Sequence, residues 1–277
     1  MQNSNYRIIA SDLDGTLLKD DMTVSIENEQ VIEELTKHGI YFVPSSGRTL
    51  NEFPKQVVDN PNIRYIIHST GAVVYDKQTG KRITLCMPHE LSMFVFDTMR
   101  EYDALLNVRY EGKCYVDSRN VTENALEYYR VNEYFSKSIH ETNVPVTNFD
   151  KLCHSMDKIE MISGFFNNDE DYEDCKKRLE ETGELIVVCS GSQNMEIIYK
   201  KAGKGNALCR LVEELEIDIE DTIGVGDSIN DSALLEAAGL GLAVGNAYEE
   251  LKRIADEVIC TNEEHIMAYI LENYIGY

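Results

Sequence analysis

The stretch Ile8–Leu18, with the sequence IIASDLDGTLL, carries the signal that decides the fold. Its apolar start predicts a buried β-strand, yet Asp12 and Asp14 follow at once, one residue apart. Two later runs, Ile40–Ser45 and Asp221–Gly226, have the same design of near-continuous apolar residues with a polar residue next to them. Strands that are apolar on both faces are typical of a parallel sheet covered by helices on both sides.

Helical patterns fill the chain between these strands. Ser25 is predicted to cap a helix that ends at Gly39, and an apolar stripe with helical period runs from Ala207 to Leu215. Further strands are predicted at residues 65–68, 241–244 and 257–259, and a further helix at residues 230–239. We therefore predict an α/β fold with a doubly wound, Rossmann-like parallel sheet as its core.

The middle of the chain has a different pattern. A hairpin is predicted over residues 105–118, then a helix over 122–135, a strand over 158–166, a helix over 169–183 and a strand over 184–191. Adjacent strands with intervening helices indicate an inserted α+β cap domain at residues 83–190. Residues 1–82 and 191–277 are then expected to close into one catalytic core.

The composition argues against several classes of partner. The 277 residues carry a formal net charge of −23, which disfavours binding to nucleic acid and to anionic membranes. The seven cysteines are scattered with no CxxC pair, which indicates a reducing compartment rather than a disulfide framework. No apolar run approaches the roughly 20 residues of a membrane span, and no signal peptide is recognised. We expect a cytoplasmic protein, with a monomer as the default state.

Carboxylates follow two of the predicted strands. Ligands bind beyond the carboxyl ends of the strands in open α/β sheets, so Asp12 and Asp227 are expected to share one cleft with Asp14 and Asp231. Carboxylates this close repel one another unless a cation lies between them. An all-oxygen set selects a hard cation, and Mg²⁺ is the expected ion.

Each motif also has an ordinary structural explanation. Asp-x-Asp after a strand is commonly a turn or a helix cap, and Ser46-Gly47-Arg48 is common turn chemistry. A single lysine such as Lys204 is most often a solvated surface residue. The joint occurrence of these motifs, in this order and at strand or helix ends, favours a functional site.

The set of motifs resembles a known family. DLDGTLL (residues 12–18), SSGR (45–48), Lys204-Gly205 and GDSINDSALLEAAG (226–239) together resemble the haloacid dehalogenase superfamily of phosphohydrolases. The position of the insert, between Ser46 and Lys204, resembles the large-cap subgroup called Cof-type, and the resemblance covers nearly the whole chain. It implies a phosphatase for small phosphate monoesters, with sugar phosphates favoured ahead of pyridoxal phosphate and flavin mononucleotide.

The resemblance also implies residue roles. Asp12 would be the nucleophile that forms an aspartyl-phosphate, and Asp14 would act first as general acid and then as general base. The side chains of Asp12 and Asp227 and the backbone carbonyl of Asp14 would bind Mg²⁺. Ser46 would donate a hydrogen bond to the phosphoryl group, and Lys204 would neutralise charge on it.

Other residues would support this centre. Asn230 and Asp231 would orient the water on the metal and the lysine ammonium. Thr16 would either donate to the phosphoryl group or fix its loop, and Arg48 would either contact substrate or pair with cap carboxylates. Thr70 departs from the Asn-Gly that many relatives carry at its position. The full phosphate- or substrate-binding set that the resemblance predicts is Gly15, Thr16, Ser46, Gly47, Arg48, Lys204 and Asn230.

Three other functions remain open from the sequence. A phosphomutase or phosphotransferase would use the same core residues with an acceptor hydroxyl in place of water. A non-catalytic binding protein on the same scaffold is disfavoured because the acidic residues and the lysine are all present. A dinucleotide-binding enzyme is disfavoured because Ile229 stands where a third glycine belongs after Gly224 and Gly226.

Overall fold

The computed structural model describes residues 5–189 and 193–276, with the side chains of Tyr134 and Cys189 left undescribed. Its strands, in chain order, are β1 (Ile8–Ser11), β2 (Tyr41–Pro44), β3 (Tyr65–His68), β4 (Val73–Asp76), β5 (Arg82–Thr84), β6 (Ala104–Tyr110), β7 (Lys113–Asp117), β8 (Val144–Val146), β9 (Met161–Phe166), β10 (Leu185–Cys189), β11 (Asn194–Tyr199), β12 (Thr222–Gly226), β13 (Leu240–Ala243) and β14 (Glu257–Val258). Its α-helices are α1 (Ile26–Lys37), α2 (Lys55–Val58), α3 (His89–Arg100), α4 (Glu123–Tyr128), α5 (Glu133–Glu141), α6 (Phe149–His154), α7 (Asp169–Glu180), α8 (Lys204–Leu215), α9 (Ser232–Ala237), α10 (Glu249–Ile254) and α11 (Ile266–Ile270).

A five-stranded sheet in the order β14-β13-β12-β1-β2 has every neighbouring pair parallel. All residues of β1 and β12 are buried, as their continuous apolar sequences predict. The chain passes from β1 through α1 to β2 on one side, while β12, β13 and β14 extend the sheet on the other side. The strand order thus reverses at β1, which makes its carboxyl end the topological switch point. The predicted doubly wound α/β fold is confirmed.

Helix α1 shows how the local sequence sets its own limits. The Ser25 hydroxyl accepts a hydrogen bond from the amide of Asn28, so it caps the helix as predicted. Ile32 and Leu35 form its buried stripe. The chain leaves the helix at Gly39, whose φ of +74° suits glycine.

Strand β3 lies differently from the other predicted strands. It pairs antiparallel with β4 in a three-stranded sheet of order β3-β4-β5. Its link to the parallel sheet is one parallel bridge between Ser45 and Ile67, extended by a 3.0 Å hydrogen bond from the Ser46 amide to the Ile67 carbonyl. This bridge brings the end of β3 next to the end of β2.

The insert contains a six-stranded sheet in the order β10-β11-β9-β6-β7-β8. The predicted hairpin is present as β6 and β7. Glu111 and Gly112 form its turn with φ values of 50° and 73°, as a tight hairpin connection requires. One face of the sheet packs against a large apolar cluster that includes Val95 and Phe96 of α3, and the other face carries a smaller cluster around Leu105 and Phe165.

Residues 122–135 form two helices rather than the single predicted one. Helix α4 is capped by the Thr122 hydroxyl and ends before Arg130, whose φ is 53°. Helix α5 begins anew because the Asn132 side chain accepts a hydrogen bond from the Phe135 amide. A second capping side chain inside the apolar pattern therefore divides the helix.

The chain divides into two compact units. The parallel-sheet unit comprises Met1–Gly47, Phe53–Ile83 and Gly203–Tyr277, and the insert unit comprises Arg48–Glu52 and Thr84–Ala202. The boundary expected between residues 190 and 191 lies outside the described residues. Strand β11, expected in the core, pairs instead with β9 and β10, because its alternate residues Met195 and Ile197 join the apolar cluster of the insert.

Candidate active site

The carboxyl ends of β1 and β12 bring two distant aspartates together. Ser11 pairs with Val225 in the parallel ladder, and the Asp12 amide donates a 2.9 Å hydrogen bond to the Val225 carbonyl. Asp12 and Asp227 each follow their strand directly. Carboxylate oxygens of Asp12, Asp227 and Asp231 all lie within 4.8 Å of one another. The structure therefore brings together three of the four aspartates that the strand-end pattern predicts to share one cleft.

Lys204 lies against this cluster. It is the first residue of α8 and is 1 % exposed. Its ammonium donates to Asp12 Oδ1 at 2.5 Å and to Asp231 Oδ1 at 2.6 Å. A buried ammonium is stable only when it is paired in this way. Lys204 is therefore not a solvated surface residue, and its ammonium contacts Asp12, the residue that follows β1.

Asp231 uses both of its carboxylate oxygens inside the protein. Oδ1 accepts from Lys204, and Oδ2 accepts from the amides of Asp227 and Ser228 at 3.1 Å each. The side chain is fully buried. Because its oxygens are already engaged, Asp231 is suited to hold the lysine and the Asp227 loop in place rather than to bind a ligand directly.

The charges in this cluster perturb one another. Burial raises the pKa of Asp12 well above its ordinary value, and the carboxylates of Asp231 and Asp227 raise it further against the opposing effect of Lys204. Burial and the neighbouring Asp231 raise the pKa of Asp227 to about 6. For Lys204, burial lowers the pKa, but Asp12 and Asp231 outweigh it and the net shift is upward. One ammonium does not balance three carboxylates, so this all-oxygen cluster fits a divalent cation.

The loop after Asp12 is a single turn over Leu13–Leu17, closed by a 2.8 Å hydrogen bond from the Leu18 amide to the Leu13 carbonyl. Gly15 has a φ of +77°, and a Cβ there would lie 2.6 Å from Asp227 Oδ2. Glycine is needed here because the φ is positive and because a Cβ would clash with the Asp227 carboxylate. The Asp14 side chain is half-buried on this loop and lies outside the cluster of three carboxylates.

Thr16 is buried in the same loop, and its hydroxyl lies 3.5 Å from Asp227 Oδ1. Of the two roles left open for this residue, the contact agrees with fixing the loop beside Asp227. At this distance the hydroxyl donates a long hydrogen bond to Asp227, a carboxylate that would bind the metal. The phosphoryl contact stays a prediction.

Ser46 lies at the end of β2, beside the strand that carries Asp12. The Ser45 amide donates to the Ser11 carbonyl at 2.8 Å, and Ser46 itself is 2 % exposed. Gly47 is the last residue of this segment in the parallel-sheet unit. These bonds bring Ser46 to the same sheet edge as Asp12.

Two predicted residues have hydrogen-bond partners outside the acidic cluster. Arg48 belongs to the insert unit, where its guanidinium donates to the backbone carbonyl of Glu52 at 2.9 Å. Asn230 is exposed, and its Oδ1 accepts a 2.7 Å hydrogen bond from the Ser228 hydroxyl.

A turn after β3 has unusual backbone geometry. Ser69, Thr70 and Gly71 have φ values of 51°, 53° and 82°. A β-branched residue at positive φ is a genuine outlier, with a cost of about 1–3 kcal/mol. Gly71 is confined by its surroundings, since a Cβ there would lie 2.2 Å from the backbone of Gly203.

Asn246 supports the site although the sequence reasoning missed it. Its Nδ2 donates a 2.7 Å hydrogen bond to the Gly15 carbonyl, and its Oδ1 accepts from the Asn262 amide at 3.0 Å. Asn262 in turn donates to the Leu18 carbonyl. The contact has no local signal in the sequence, because Asn246 and Gly15 are 231 residues apart in the chain.

The cap tyrosines have ordinary structural partners. The hydroxyls of Tyr128 and Tyr129 both donate to Asp103, at 2.6 and 3.0 Å. Tyr102 donates to Asp174 at 2.6 Å. These contacts agree with a structural role, which the sequence already favoured over stacking on a substrate ring.

Comparisons with known proteins agree with the fold. The family model for haloacid dehalogenase-like hydrolases matches residues 9–271. Phosphatase YwpJ of Bacillus subtilis is 34% identical over 97% of this chain and 100% of its own length. A second B. subtilis protein, the 5-amino-6-(5-phospho-D-ribitylamino)uracil phosphatase YcsE, is 26% identical over 99% of this chain and 98% of its own. A solved haloacid dehalogenase-like hydrolase from B. subtilis superposes with a TM-score of 0.78 at 31% identity, covering 96% of this chain and 99% of that one.

Proposed function

The chain belongs to the haloacid dehalogenase-like hydrolases, and on that premise we propose a Mg²⁺-dependent phosphatase that hydrolyses small phosphate monoesters through an aspartyl-phosphate at Asp12. The observation that carries the proposal is the contact of the buried Lys204 ammonium with Asp12, beside Asp227. A nucleophilic carboxylate, a cation for the phosphoryl charge and a carboxylate-rich cation site are what this chemistry requires.

In the first step, Asp12 attacks the phosphorus atom. Lys204 already holds Asp12 Oδ1, so Oδ2 is the oxygen that forms the new O–P bond. The bond from phosphorus to the leaving-group oxygen breaks, its electron pair stays on that oxygen, and Asp14 supplies the proton. The products are the free alcohol and a phosphorylated Asp12.

In the second step, Asp14 accepts a proton from a water molecule as the water oxygen attacks phosphorus. The bond between phosphorus and the Asp12 oxygen breaks, and its electrons return to the Asp12 carboxylate. Inorganic phosphate leaves, and Asp14 again carries its proton. Asp14 lies two residues from Asp12 on a turn closed by backbone hydrogen bonds, which keeps the two residues close in the chain's path.

The side chains of Asp12 and Asp227 and the carbonyl of Asp14 would hold the Mg²⁺ ion. When bound, the ion supplies charge neutralisation for the phosphoryl oxygens and for the carboxylates around them. Ser46 donates a hydrogen bond to the phosphoryl group, and the Lys204 ammonium stays paired with Asp12 and Asp231 throughout.

One relative supports a proposal for the substrate class. The name of YcsE states that it acts on a phosphate ester of a ribityl chain. We infer that the present protein acts on small phosphate monoesters with sugar phosphates favoured; ribityl phosphates, among them flavin mononucleotide, and pyridoxal phosphate come next.

The cellular location is part of the same proposal. Six described cysteines are free, which agrees with a reducing compartment. Within residues 5–189 and 193–276, no helix combines the length and the apolar character that crossing a membrane requires. We propose that the enzyme works in the cytoplasm.

A direct test compares wild type with Asp12→Asn in phosphate release from an aryl phosphate and from a panel of sugar phosphates with Mg²⁺. We expect the variant to lose activity by at least about 10⁴-fold, because the amide is a poor nucleophile for phosphorus. Glu180→Gln, an equivalent change at an exposed position of α7, serves as the control. Wild-type-like turnover by Asp12→Asn would refute the role of Asp12, and conversion of a sugar phosphate to its isomer without phosphate release would favour a mutase.

A further inference from the structure

Two large side chains with mainly apolar surface are exposed in the parallel-sheet unit next to Asp227. Tyr248 is 64 % exposed and Ile229 is 56 % exposed. Single apolar side chains on a surface are ordinary, whereas several of them beside a small-molecule site are typical of a surface that contacts the ligand. Their position relative to Asp227 decides between these two explanations.

The backbone holds both residues beside Asp227. The Tyr248 amide donates a 2.8 Å hydrogen bond to the Asp227 carbonyl, and Ile229 follows Asp227 by two residues and begins the turn Ile229–Asp231. Helix α10, which starts directly after Tyr248, packs against this turn. Both residues thus follow the carboxyl ends of β12 and β13, at the edge of the sheet where ligands bind in this architecture.

The proposed reaction sends the leaving group outward from this edge. Asp12 follows β1, and its Oδ2, the oxygen that Lys204 does not hold, would attack phosphorus in line with the leaving-group oxygen. The organic part of the substrate therefore extends away from Asp12, beyond the carboxyl ends of the strands. Carboxylate oxygens of Asp12 and Asp227 lie within 4.8 Å of one another, so side chains that adjoin Asp227 border the path of the leaving group.

We propose that Tyr248 and Ile229 form a contact surface for the leaving group, on which the C–H face of a sugar or polyol packs against the tyrosine ring and the isoleucine side chain. The inference rests on the proposed phosphatase function and assigns to it two residues that determine substrate choice. Burial of apolar surface against an aromatic ring supplies the affinity. Because the contact is made before and during the reaction alike, it lowers KM and leaves kcat unchanged.

The test measures three variants, Tyr248→Ala, Ile229→Ala and Tyr248→Phe, with glucose 6-phosphate as the sugar ester and acetyl phosphate as a substrate whose leaving group is small. We expect KM for glucose 6-phosphate to rise about tenfold in Tyr248→Ala and about threefold in Ile229→Ala, with kcat within about twofold of wild type. Tyr248→Phe keeps the ring and should stay within about twofold in KM. Turnover of acetyl phosphate and inhibition by inorganic phosphate should be unchanged in all three variants, because neither probe carries a sugar.

Ile254→Ala is the matched control, because Ile254 is 41 % exposed at the other end of α10, and it should leave every measure unchanged. An unchanged KM for glucose 6-phosphate in Tyr248→Ala and Ile229→Ala would overturn the inference. An equal loss with acetyl phosphate, or in Ile254→Ala, would overturn it too.

Calorimetry tests the same surface without turnover. Tyr248→Ala should bind glucose 6-phosphate about tenfold more weakly than wild type and inorganic phosphate equally well, and equal binding of both ligands by the two proteins would contradict the proposed surface. Failure of the phosphatase proposal is recognised separately, by a wild type that releases no phosphate from either substrate.

Discussion

Gly15 is a residue whose identity the site geometry dictates. In Gly15→Ala the new methyl group meets Asp227 Oδ2 at 2.6 Å, at a φ of +77°. We expect the free energy of unfolding to fall by about 2–4 kcal/mol, from backbone strain and displacement of the carboxylate together. Urea unfolding with and without Mg²⁺ measures this, and the stabilisation by Mg²⁺ should be lost because Asp227 is moved.

Gly80 provides the matched control for this substitution. It has nearly the same φ, +73°, and an added methyl group would meet nothing within 4 Å. Gly80→Ala should therefore cost only the backbone strain, about 1 kcal/mol, and leave the response to Mg²⁺ intact. Equal costs for the two variants would show that the contact with Asp227 does not matter.

Asp227 predicts a pH dependence of stability in the metal-free protein. Its pKa is raised from 3.8 to about 6, first by burial and then by Asp231, so the folded protein binds this proton more tightly than the unfolded chain does. The group therefore contributes stability below its unfolded pKa and loses it as the pH rises through about 6. The Asp227→Asn variant has no carboxyl group at this position, so it does not lose this stability as the pH rises.

The measurement is urea unfolding of the metal-free wild type and of Asp227→Asn, from a pH below the ordinary pKa of 3.8 to a pH above about 6. The stability of the variant relative to wild type should rise with pH by about 1 kcal/mol, since this half-buried carboxylate remains partly screened by water. A difference that does not change with pH would mean that Asp227 titrates normally.

At the residue level, the sequence was informative wherever a polar side chain follows an apolar strand. Asp12 and Asp227 were found in this way, and the parallel ladder places them together. The left-handed conformation of Thr70 and the contact of Asn246 with Gly15 were not predictable. Both depend on neighbours far away in the chain, and no local pattern encodes them.

The short helical turn Ile229–Asp231 is the element that orders the site. Asp231 caps its own turn and pairs with Lys204, so it needs two acceptor oxygens. In Asp231→Asn the amide nitrogen must face either the ammonium or the backbone amides, donor against donor. We expect about 2 kcal/mol lower stability in urea and at least about tenfold lower kcat/KM.

The turn Ile219–Asp221 provides a matched element without the lysine. The Asp218 side chain accepts from the Glu220 amide at 3.2 Å in an exposed setting. Asp218→Asn should cost less than about 0.5 kcal/mol and leave activity unchanged, because asparagine caps a turn as well as aspartate. A similar cost in both variants would mean that Asp231 acts only as a cap.

Helices were predictable where the capping residues and the apolar periodicity of the sequence indicated the same limits. Helix α1 begins and ends as its sequence signals indicate. The prediction of a single helix over residues 122–135 was wrong because Asn132 caps a second helix within one apolar pattern. Strand β11 was missed because its place is decided by pairing with β9 and β10, which is a property of the sheet rather than of the strand.

At the scale of the whole molecule, two segments remote in sequence form one site in the parallel-sheet unit. The family and the α/β architecture were predictable because the motifs lie at strand ends in a fixed order. It was not predictable that Arg48–Glu52 belongs to the insert unit, because a five-residue segment carries no periodic signal. The excess of acidic residues, with a net charge of −23, leaves the acidic cluster dependent on local cations.

That dependence predicts the response of the intact enzyme to metal removal. EDTA should abolish phosphate release, and Mg²⁺ should restore it at least about tenfold better than Ca²⁺, whose larger and looser coordination shell disturbs the alignment of the reacting groups. Steady-state rates after dialysis against each ion provide the measurement. Full activity in EDTA, or equal support by Ca²⁺, would contradict the proposed Mg²⁺ site.

The central claim is that Asp12, held by Lys204 beside Asp227, carries the phosphoryl group during turnover. The most direct measurement quenches the enzyme with acid during hydrolysis of an aryl phosphate, reduces any acyl phosphate with borohydride and maps the product by peptide mass spectrometry. Homoserine at position 12, absent from Asp12→Asn, is the predicted result. Reduction at another aspartate, or none at all while phosphate is released at the full rate, would contradict it.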